Sequence, residues 1–365
     1  MTANPRGGRL TQAEIARIAG VSQATVSLVV NGRDEALTDD TRERVRAAIE
    51  RTGYVANPIA RVLAGGRNKL LGVHTFEKVF PLNGDDFYFP FLLGIEEEAE
   101  SLGYDLLMFT SSGEQRRIFV DGRSRLNLAD GALLLGRTPD MAEVAELARL
   151  GYPFVFIGHR EIPGQALSYV AADYTDATAA VTRRLLELGH RRLAYLRLDA
   201  GGGQPGADRV AGYQLAARSA RLGPAATPLW DVSGVDEAGA VLGDALDHGI
   251  TALLVEQQIL AEALAAACAA RSVSIPADIS VAVLGDTIGV RGSETDWSGF
   301  QVPKREMGAA ATRLLIDQLE ERVSRPHVES IACRPVEGSS IGPVKTPLAG
   351  GAAVPEPRRN RSITE

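Results

Sequence analysis

The stretch TQAEIARIAGVSQATVSLVVNG, residues 11–32, decides how the first part of this chain folds. Thr11 with Glu14 three positions on forms a capping box, which opens a helix running to Ala19. Ile15, Ala16, Ile18 and Ala19 recur at helical spacing and are expected on its buried face. Gly20 supplies the permissive backbone of a tight turn, and Ser22 is a good N-cap for a second helix. Val26, Val29 and Val30 then face inward, while Thr38 caps a third helix whose first turn carries Asp39 and Asp40, where the helix dipole favours anions. Val45, Ala48 and Ile49 complete a three-helix core. Two short helices joined by a glycine turn make a helix-turn-helix, which presents the N-terminal end of its second helix to the major groove. Gln23, Ala24, Thr25, Ser27 and Leu28 are the residues there that packing does not use. Glutamine bonds adenine bidentately, alanine and leucine offer apolar contact, and the hydroxyls reach phosphates or base edges.

An ordinary helical hairpin in a bundle shares this pattern, and the residues after it argue against that alternative. Asn57 is an N-cap, Pro58 stands at the first helical position and Gly65 follows the last. A helix this short is unstable alone in water and needs a partner for Ile59, Ala60 and Leu63. Ordered against a second copy on DNA, its leucine can wedge between base steps in the minor groove.

Charge points the same way. The chain of 365 residues carries a net −7, but residues 1–69 hold eleven basic and seven acidic side chains, a net of +4. The remainder is at −11, so only the head is suited to phosphate. The two cysteines, Cys268 and Cys333, lie far apart without metal-ligand spacing, which fits a reducing compartment. The opening residues lack an apolar core, so no secretory signal is read, no membrane span is visible, and the expected location is cytoplasmic.

From Leu70 onward the texture changes. Apolar runs at Leu70–Phe76, Tyr104–Phe109, Gly131–Leu135, Pro153–Ile157, Arg192–Leu198, Ala252–Val255 and Ile279–Leu284 alternate with Ala/Leu/Glu-rich helical runs. That alternation indicates βαβ units and parallel sheets covered on both faces. The chain is therefore expected to divide into a flexible arm (1–10), a helix-turn-helix domain (11–56) and a hinge helix (57–66). An α/β domain (67–343) and a disordered tail (344–365) follow.

These features together resemble the lactose-repressor (LacI/GalR) family of bacterial transcription regulators. The matching residues are Ala16, Ala19-Gly20-Val21-Ser22, Thr25-Val26-Ser27, Val30-Asn31, Thr41-Arg42, Tyr54, Asn57, Ala60-Arg61 and Leu63. Further matches lie at Leu188-Gly189-His190-Arg191, Arg209 before Ala211-Gly212-Tyr213, Ile275-Pro276 and Met307-Gly308. The resemblance implies an all-α helix-turn-helix head plus an α/β periplasmic-binding-protein-like sensor of two doubly wound subdomains with a ligand cleft between them. It places Gln23, Ala24 and Leu28 at base-reading positions and Leu63 at an intercalating hinge leucine. It adds Thr11, Ser22, Asn31, Asn57 and Ala60 to the DNA-binding set. For the effector it implies Phe87 and Tyr88 as aromatic faces that stack on the ligand, Arg209 as its forked donor, and Gln257 and Asp286; His159 and Arg160, just after the strand ending at Ile157, are expected to line the same site. Ala56 and Ala64 depart from the family pattern, as does Glu256-Gln257-Gln258, where an Asn-Asp pair usually stands; Gly285 occupies the usual aspartate in an ungapped alignment. The partners implied are double-stranded operator DNA, a small-molecule effector of sugar or polyol type, and a second copy of the chain. Repression relieved by the effector is the expected mode, with no cofactor and no metal.

Other classes have weaker support. Gly201-x-Gly203-x-x-Gly206 follows a strand as a dinucleotide fingerprint would, with Asp231 downstream, but Pro205 interrupts the loop and the first βα unit lacks the motif. The same glycines fit a loop on the effector side, before a helix expected to begin near Ala207. A ligand-independent or differently specific regulator of the same fold is a second alternative. The five histidines are scattered, so hydrolytic or metal chemistry finds no constellation, and the chain is not expected to be an enzyme.

Overall fold

The computed structural model describes residues 10–30, 34–54, 68–78, 87–110, 116–198, 203–285 and 295–345. The expectations for Asn31, Asn57, Ala60, Leu63 and Asp286, for the hinge helix at 57–66 and for most of the two terminal segments lie outside those residues.

Three helices form the head: α1 (Gln12–Ala19), α2 (Gln23–Val30) and α3 (Asp39–Thr52). The capping box is present, with the Glu14 N–H donating to Thr11 Oγ1 at 3.3 Å and the Thr11 N–H to Glu14 Oε2 at 2.7 Å. Gly20 turns the chain at φ 65°, and α1 and α2 bend by 105° across it, within the roughly 90–120° of a helix-turn-helix. Arg44 on α3 donates to the Ala19 carbonyl at 3.3 Å, satisfying an oxygen the helix end leaves free. Ile15, Ala16, Ala19, Val26, Val45, Ala48 and Tyr54 make the core, with Val21, Val29, Val30 and Ile49 packed against it. Ile18 corrects the reading of α1: it is exposed. At about 100° per residue it lies roughly 110° from the direction that Ile15 and Ala19 share with Ala16. Thr11→Ala is expected to cost about 1 kcal/mol. In the full chain that should speed hydrogen exchange of the α1 amides about fivefold; unchanged exchange would contradict the capping role.

The rest of the described chain is α/β. The first sheet comprises β1 (Leu70–Thr75), β2 (Asp105–Phe109), β5 (Gly131–Leu135), β6 (Phe154–Ile157), β7 (Tyr169–Ala172) and β13 (Val328–Ile331), in the order β13-β7-β6-β5-β1-β2. A small hairpin, β3 (Phe119–Val120) with β4 (Arg123–Ser124), stands apart from it. The second sheet comprises β8 (Leu193–Leu198), β9 (Leu229–Val232), β10 (Ala252–Val255), β11 (Ser280–Leu284), β12 (Ser298–Gln301) and β14 (Arg334–Val336), in the order β14-β12-β11-β10-β8-β9. Its pairings are parallel except for β12 with β14. Strands β5, β6, β10 and β11 are buried along their whole length, as parallel strands covered on both faces must be.

The helices are α4 (Phe89–Ser101), α5 (Met141–Arg149), α6 (Tyr174–Glu187), α7 (Gly203–Ser219), α8 (Ala238–Asp247), α9 (Gln258–Ala270) and α10 (Lys304–Leu319). Helix α7 starts at Gly203 and not near Ala207, because Pro205 falls in the first turn, where its missing N–H costs nothing. The ordered domain runs past Pro343: the Val344 N–H donates to the Leu188 carbonyl at 3.0 Å, and Lys345 pairs with Asp278 at 2.5 Å. Among the described residues no single helix is long and apolar enough to cross a membrane.

Candidate functional site

On the head, Gln23, Ala24 and Leu28 are exposed, while Thr25 and Ser27 are half-buried. Two hydroxyls named for DNA contact are already committed to local structure. Ser22 Oγ accepts the Thr25 N–H at 3.1 Å and lies 2.9 Å from Thr25 Oγ1, and Thr11 serves the capping box. Thr11 fixes the first turn of α1, its hydroxyl donating to Glu14 Oε2 at 3.1 Å, and Ser22 fixes that of α2; a phosphate oxygen only accepts, so either hydroxyl must turn its proton to meet one. The apolar and amide surface at Gln23, Ala24 and Leu28 is what remains free to meet base edges.

The second cluster lies at the C-terminal ends of β8, β10 and β11, where open α/β sheets bind their ligands. Arg209 on α7 is buried there. Its Nε donates to the Leu284 carbonyl at 2.8 Å, and its Nη1 reaches Pro205 O at 3.2 Å and Glu256 Oε1 at 3.4 Å. The guanidinium sits 3.9 Å from the centroid of the Tyr174 ring, a cation–π contact. Glu256, just after β10, is buried as well, and its Oε2 has no hydrogen-bond partner among the described residues. Burial, and then the nearby Glu256 charge, push the Tyr195 phenol above its ordinary value. Gly206 is small for this carboxylate: a β-carbon there would lie 3.1 Å from Glu256 Oε1. Gly203 and Gly206 are thus residues of α7.

His159 and Arg160 follow β6. His159 Nδ1 lies 2.9 Å from Asp208 Oδ2, Nε2 lies 3.3 Å from Glu161, and the ring stacks on Tyr169 with centroids 5.0 Å apart. Arg160 packs its guanidinium 4.7 Å from the Phe156 ring centroid and donates to the His159 carbonyl at 2.6 Å. Gln257 Oε1 accepts the Leu198 N–H at 3.3 Å, tying the ends of β8 and β10 together. Arg209 with Glu256, and His159 with Asp208, therefore belong to one neighbourhood, because Asp208 and Arg209 are adjacent on α7.

Phe87 and Tyr88 form a separate cluster. Phe87 is exposed, with its ring edge-on to Tyr88 at 4.9 Å and Arg137 at 6.0 Å. Tyr88 offers no open face: it is buried and its hydroxyl donates to Glu77. Glu77 also accepts the Arg137 N–H and the N–H and hydroxyl of Thr138, all at 3.0 Å. Burial alone would raise the Glu77 carboxyl, but the bonds from Tyr88 and Thr138 and the Arg137 charge outweigh it and hold the group below the usual carboxylate range. Sequence reading named neither Glu77, Tyr174 nor Asp208. Asp208 had a signal in its position beside Arg209, whereas Glu77 and Tyr174 had none.

The histidines do not converge on a reaction centre. His74 lies in β1 without exposure, and burial, reinforced by Arg125, holds it down to about 4. His190 bridges Thr251 and the Gly342 carbonyl at 2.8 and 2.9 Å. No group of three or more His, Cys, Asp or Glu among the described residues could hold a metal ion.

Three family models match the chain. Residues 11–57 match bacterial regulatory proteins of the lacI family, and residues 74–229 match periplasmic binding proteins and the sugar binding domain of the LacI family. Residues 182–341 match a periplasmic binding protein-like domain. The HTH-type transcriptional regulator CelR of Thermobifida fusca is 28% identical over 328 residues, covering 88% of this chain and 95% of its own length. A solved complex of the transcriptional regulator CelR with cellobiose is 26% identical, with a TM-score of 0.61, and covers 91% of this chain and 100% of that one. The lac repressor dimer bound to operator and an anti-inducer has a TM-score of 0.65 at 22% identity, covering 92% of this chain and all of the other; that likeness is one of fold. A helix-turn-helix head, a doubly wound periplasmic-binding-protein-like body and these matches lead to one conclusion: the chain belongs to the lacI family of bacterial regulatory proteins, DNA-binding transcription regulators and not enzymes.

Proposed function

We propose that this regulator is a homodimeric repressor that a neutral polyhydroxylated ligand, a sugar or related polyol, releases from its operator. The observation that carries the ligand class is the Arg209–Glu256 pair under the Tyr174 ring. An aromatic ring beside forked donors and a carboxylate acceptor is the equipment for sugar hydroxyls. Arg209 is already matched by Glu256, and Asp208 and Glu161 add negative charge nearby, so a phosphorylated ligand would meet no surplus of positive charge here. The similarity to a regulator solved with cellobiose supports the same class. His159, Arg160, Arg209 and Gln257 are the proposed contacts near α7, and Phe87 is the proposed stacking face; Tyr88 and Glu77 would hold Phe87 in place. On the DNA side, Gln23, Ala24 and Leu28 are the proposed base readers, with Thr11, Ser22, Thr25 and Ser27 toward phosphate. Asn31, Asn57, Ala60 and Leu63 complete the proposed interface from outside the described residues, as Asp286 does for the ligand.

The test is a thermal-shift panel of neutral mono- and disaccharides against their phosphates, followed by titration of a duplex selected by the protein from a random pool. A neutral sugar should raise the melting temperature and weaken duplex binding. At a hundred times its Kd it should add about 2.7 kcal/mol. Shifts confined to sugar phosphates would overturn the ligand class. A stabilising sugar that tightens duplex binding would overturn release. Sedimentation of a monomer on that duplex would overturn the dimer.

A further inference from the structure

Just before β1 the chain makes a left-handed step at Lys69, with φ 54°, a region that disfavours residues carrying a β-carbon. Groups from three places hold it there. The Asp130 carboxylate accepts the N–H groups of Asn68 at 3.0 Å and Leu70 at 3.4 Å. The Lys69 carbonyl accepts the Asp105 N–H, and the Leu70 carbonyl accepts the Asp130 N–H, both at 2.8 Å. The Lys69 ammonium lies 5.6 Å from the centroid of the Tyr104 ring, whose hydroxyl donates to Glu320 at 3.2 Å.

Pairing of the sheet does not require all of this. The ladder of β1 with β2 begins at Leu70, and that of β1 with β5 begins at Leu71. The bond from Asn68 extends the restraint upstream of both, toward the DNA-binding head. A carboxylate that takes two N–H groups flanking a strained residue fixes the direction in which the backbone enters the strand, as well as its position.

We infer that Asp130 is a positioning residue for operator binding: by clamping residues 68–70 it sets where, and in what direction, the segment that carries the head leaves the sensor. A pre-set exit lowers the ordering cost of placing the head on a specific site, and matters little on random DNA, where the head makes phosphate contacts in any register. The inference rests on the DNA-binding role of the family and not on the proposed ligand.

The experiment uses the full chain and two probes, a duplex selected by the wild-type protein from a random pool and a random duplex of equal length. Asp130→Asn keeps the size but loses one of the two acceptors. It should weaken binding to the selected duplex about tenfold, leave the random duplex within twofold, and speed hydrogen exchange at Asn68 and Leu70 by tenfold or more. Lys69→Gly, which adopts the left-handed step freely, should stay within threefold of wild type on both probes. Lys69→Val, whose branched β-carbon opposes that φ, should reproduce the selective loss. Should Asp130→Asn fail to fold, the Lys69 pair carries the test. Equal losses on both duplexes mark a merely structural role and overturn the inference, as do unchanged affinity for the selected duplex and unchanged exchange at the two amides.

Discussion

Arg209→Ala should lower the unfolding free energy of the periplasmic-binding-protein-like body by about 3–5 kcal/mol, the usual cost of removing one partner of a buried ion pair. Glu256 would stay behind as a buried carboxylate whose Oε2 already has no bonding partner among the described residues, and the Leu284 and Pro205 carbonyls would lose the bonds from the guanidinium. Adding Glu256→Gln to the same chain removes the uncompensated charge and should recover at least half of the loss. Urea unfolding of the two variants and wild type measures both effects, and coincident midpoints for Arg209→Ala and wild type would contradict the pairing. In a folded Arg209→Ala chain, affinity for whichever sugar stabilises the wild type should fall tenfold or more, since a hydrogen bond to a charged group contributes about 1.5–3 kcal/mol. Wild-type affinity in that variant would remove Arg209 from the ligand site while leaving its structural role intact.

Gly212→Ala should be nearly as damaging, for a steric reason. A β-carbon at Gly212 would lie 2.1 Å from the Thr175 carbonyl oxygen and 3.1 Å from the Ala179 nitrogen, both backbone atoms of α6. No rotamer change relieves a clash with backbone, so α6 and α7 must part. The expected cost is about 3 kcal/mol, the upper part of the range for overpacked sites. The bond from the Thr175 hydroxyl to the Asp208 carbonyl, 3.1 Å long, joins the same two helices and would be strained. Asp208 and Arg209 sit one turn before Gly212, so their geometry should shift with the helix. Denaturation together with sugar titration reads both effects. A Gly212→Ala protein as stable as wild type would mean that the two helices do not approach as closely as described.

The head was legible from residues 11–53 because each of its devices is local. Capping at Thr11 and Thr38, the left-handed glycines at Gly20 and Gly53, and apolar spacing are settled within a turn or two of chain. The central strands β5, β10 and β11 were equally legible, since a parallel strand covered on both faces is buried along its length and almost wholly apolar, with Ser280 at the start of β11 the one polar residue among them. Strands β9 and β13, no shorter than β10, gave no such signal because exposed residues break their apolar run, and β12 because it carries Ser298 and Gly299. Gly299 is required by its neighbour: at φ 151° a β-carbon would fall 1.8 Å from the Val283 carbonyl oxygen.

By itself the sequence determined the helix-turn-helix, the alternation of strands and helices behind it, the family resemblance and the identity of Arg209 as a residue of consequence. Only the tertiary structure decided what Arg209 touches. Its partners, Glu256 and the Leu284 carbonyl, lie 47 and 75 residues away, and Tyr174 lies on a different helix. The tertiary structure also turned Tyr88 from an open stacking face into a buried strut on Glu77, and made Asp130 the clamp of a strand that begins 60 residues earlier. Periodicity and capping report on neighbours along a helix or strand. The pairing of buried charges depends on which strand ends the sheet order brings side by side, and no local pattern encodes that order.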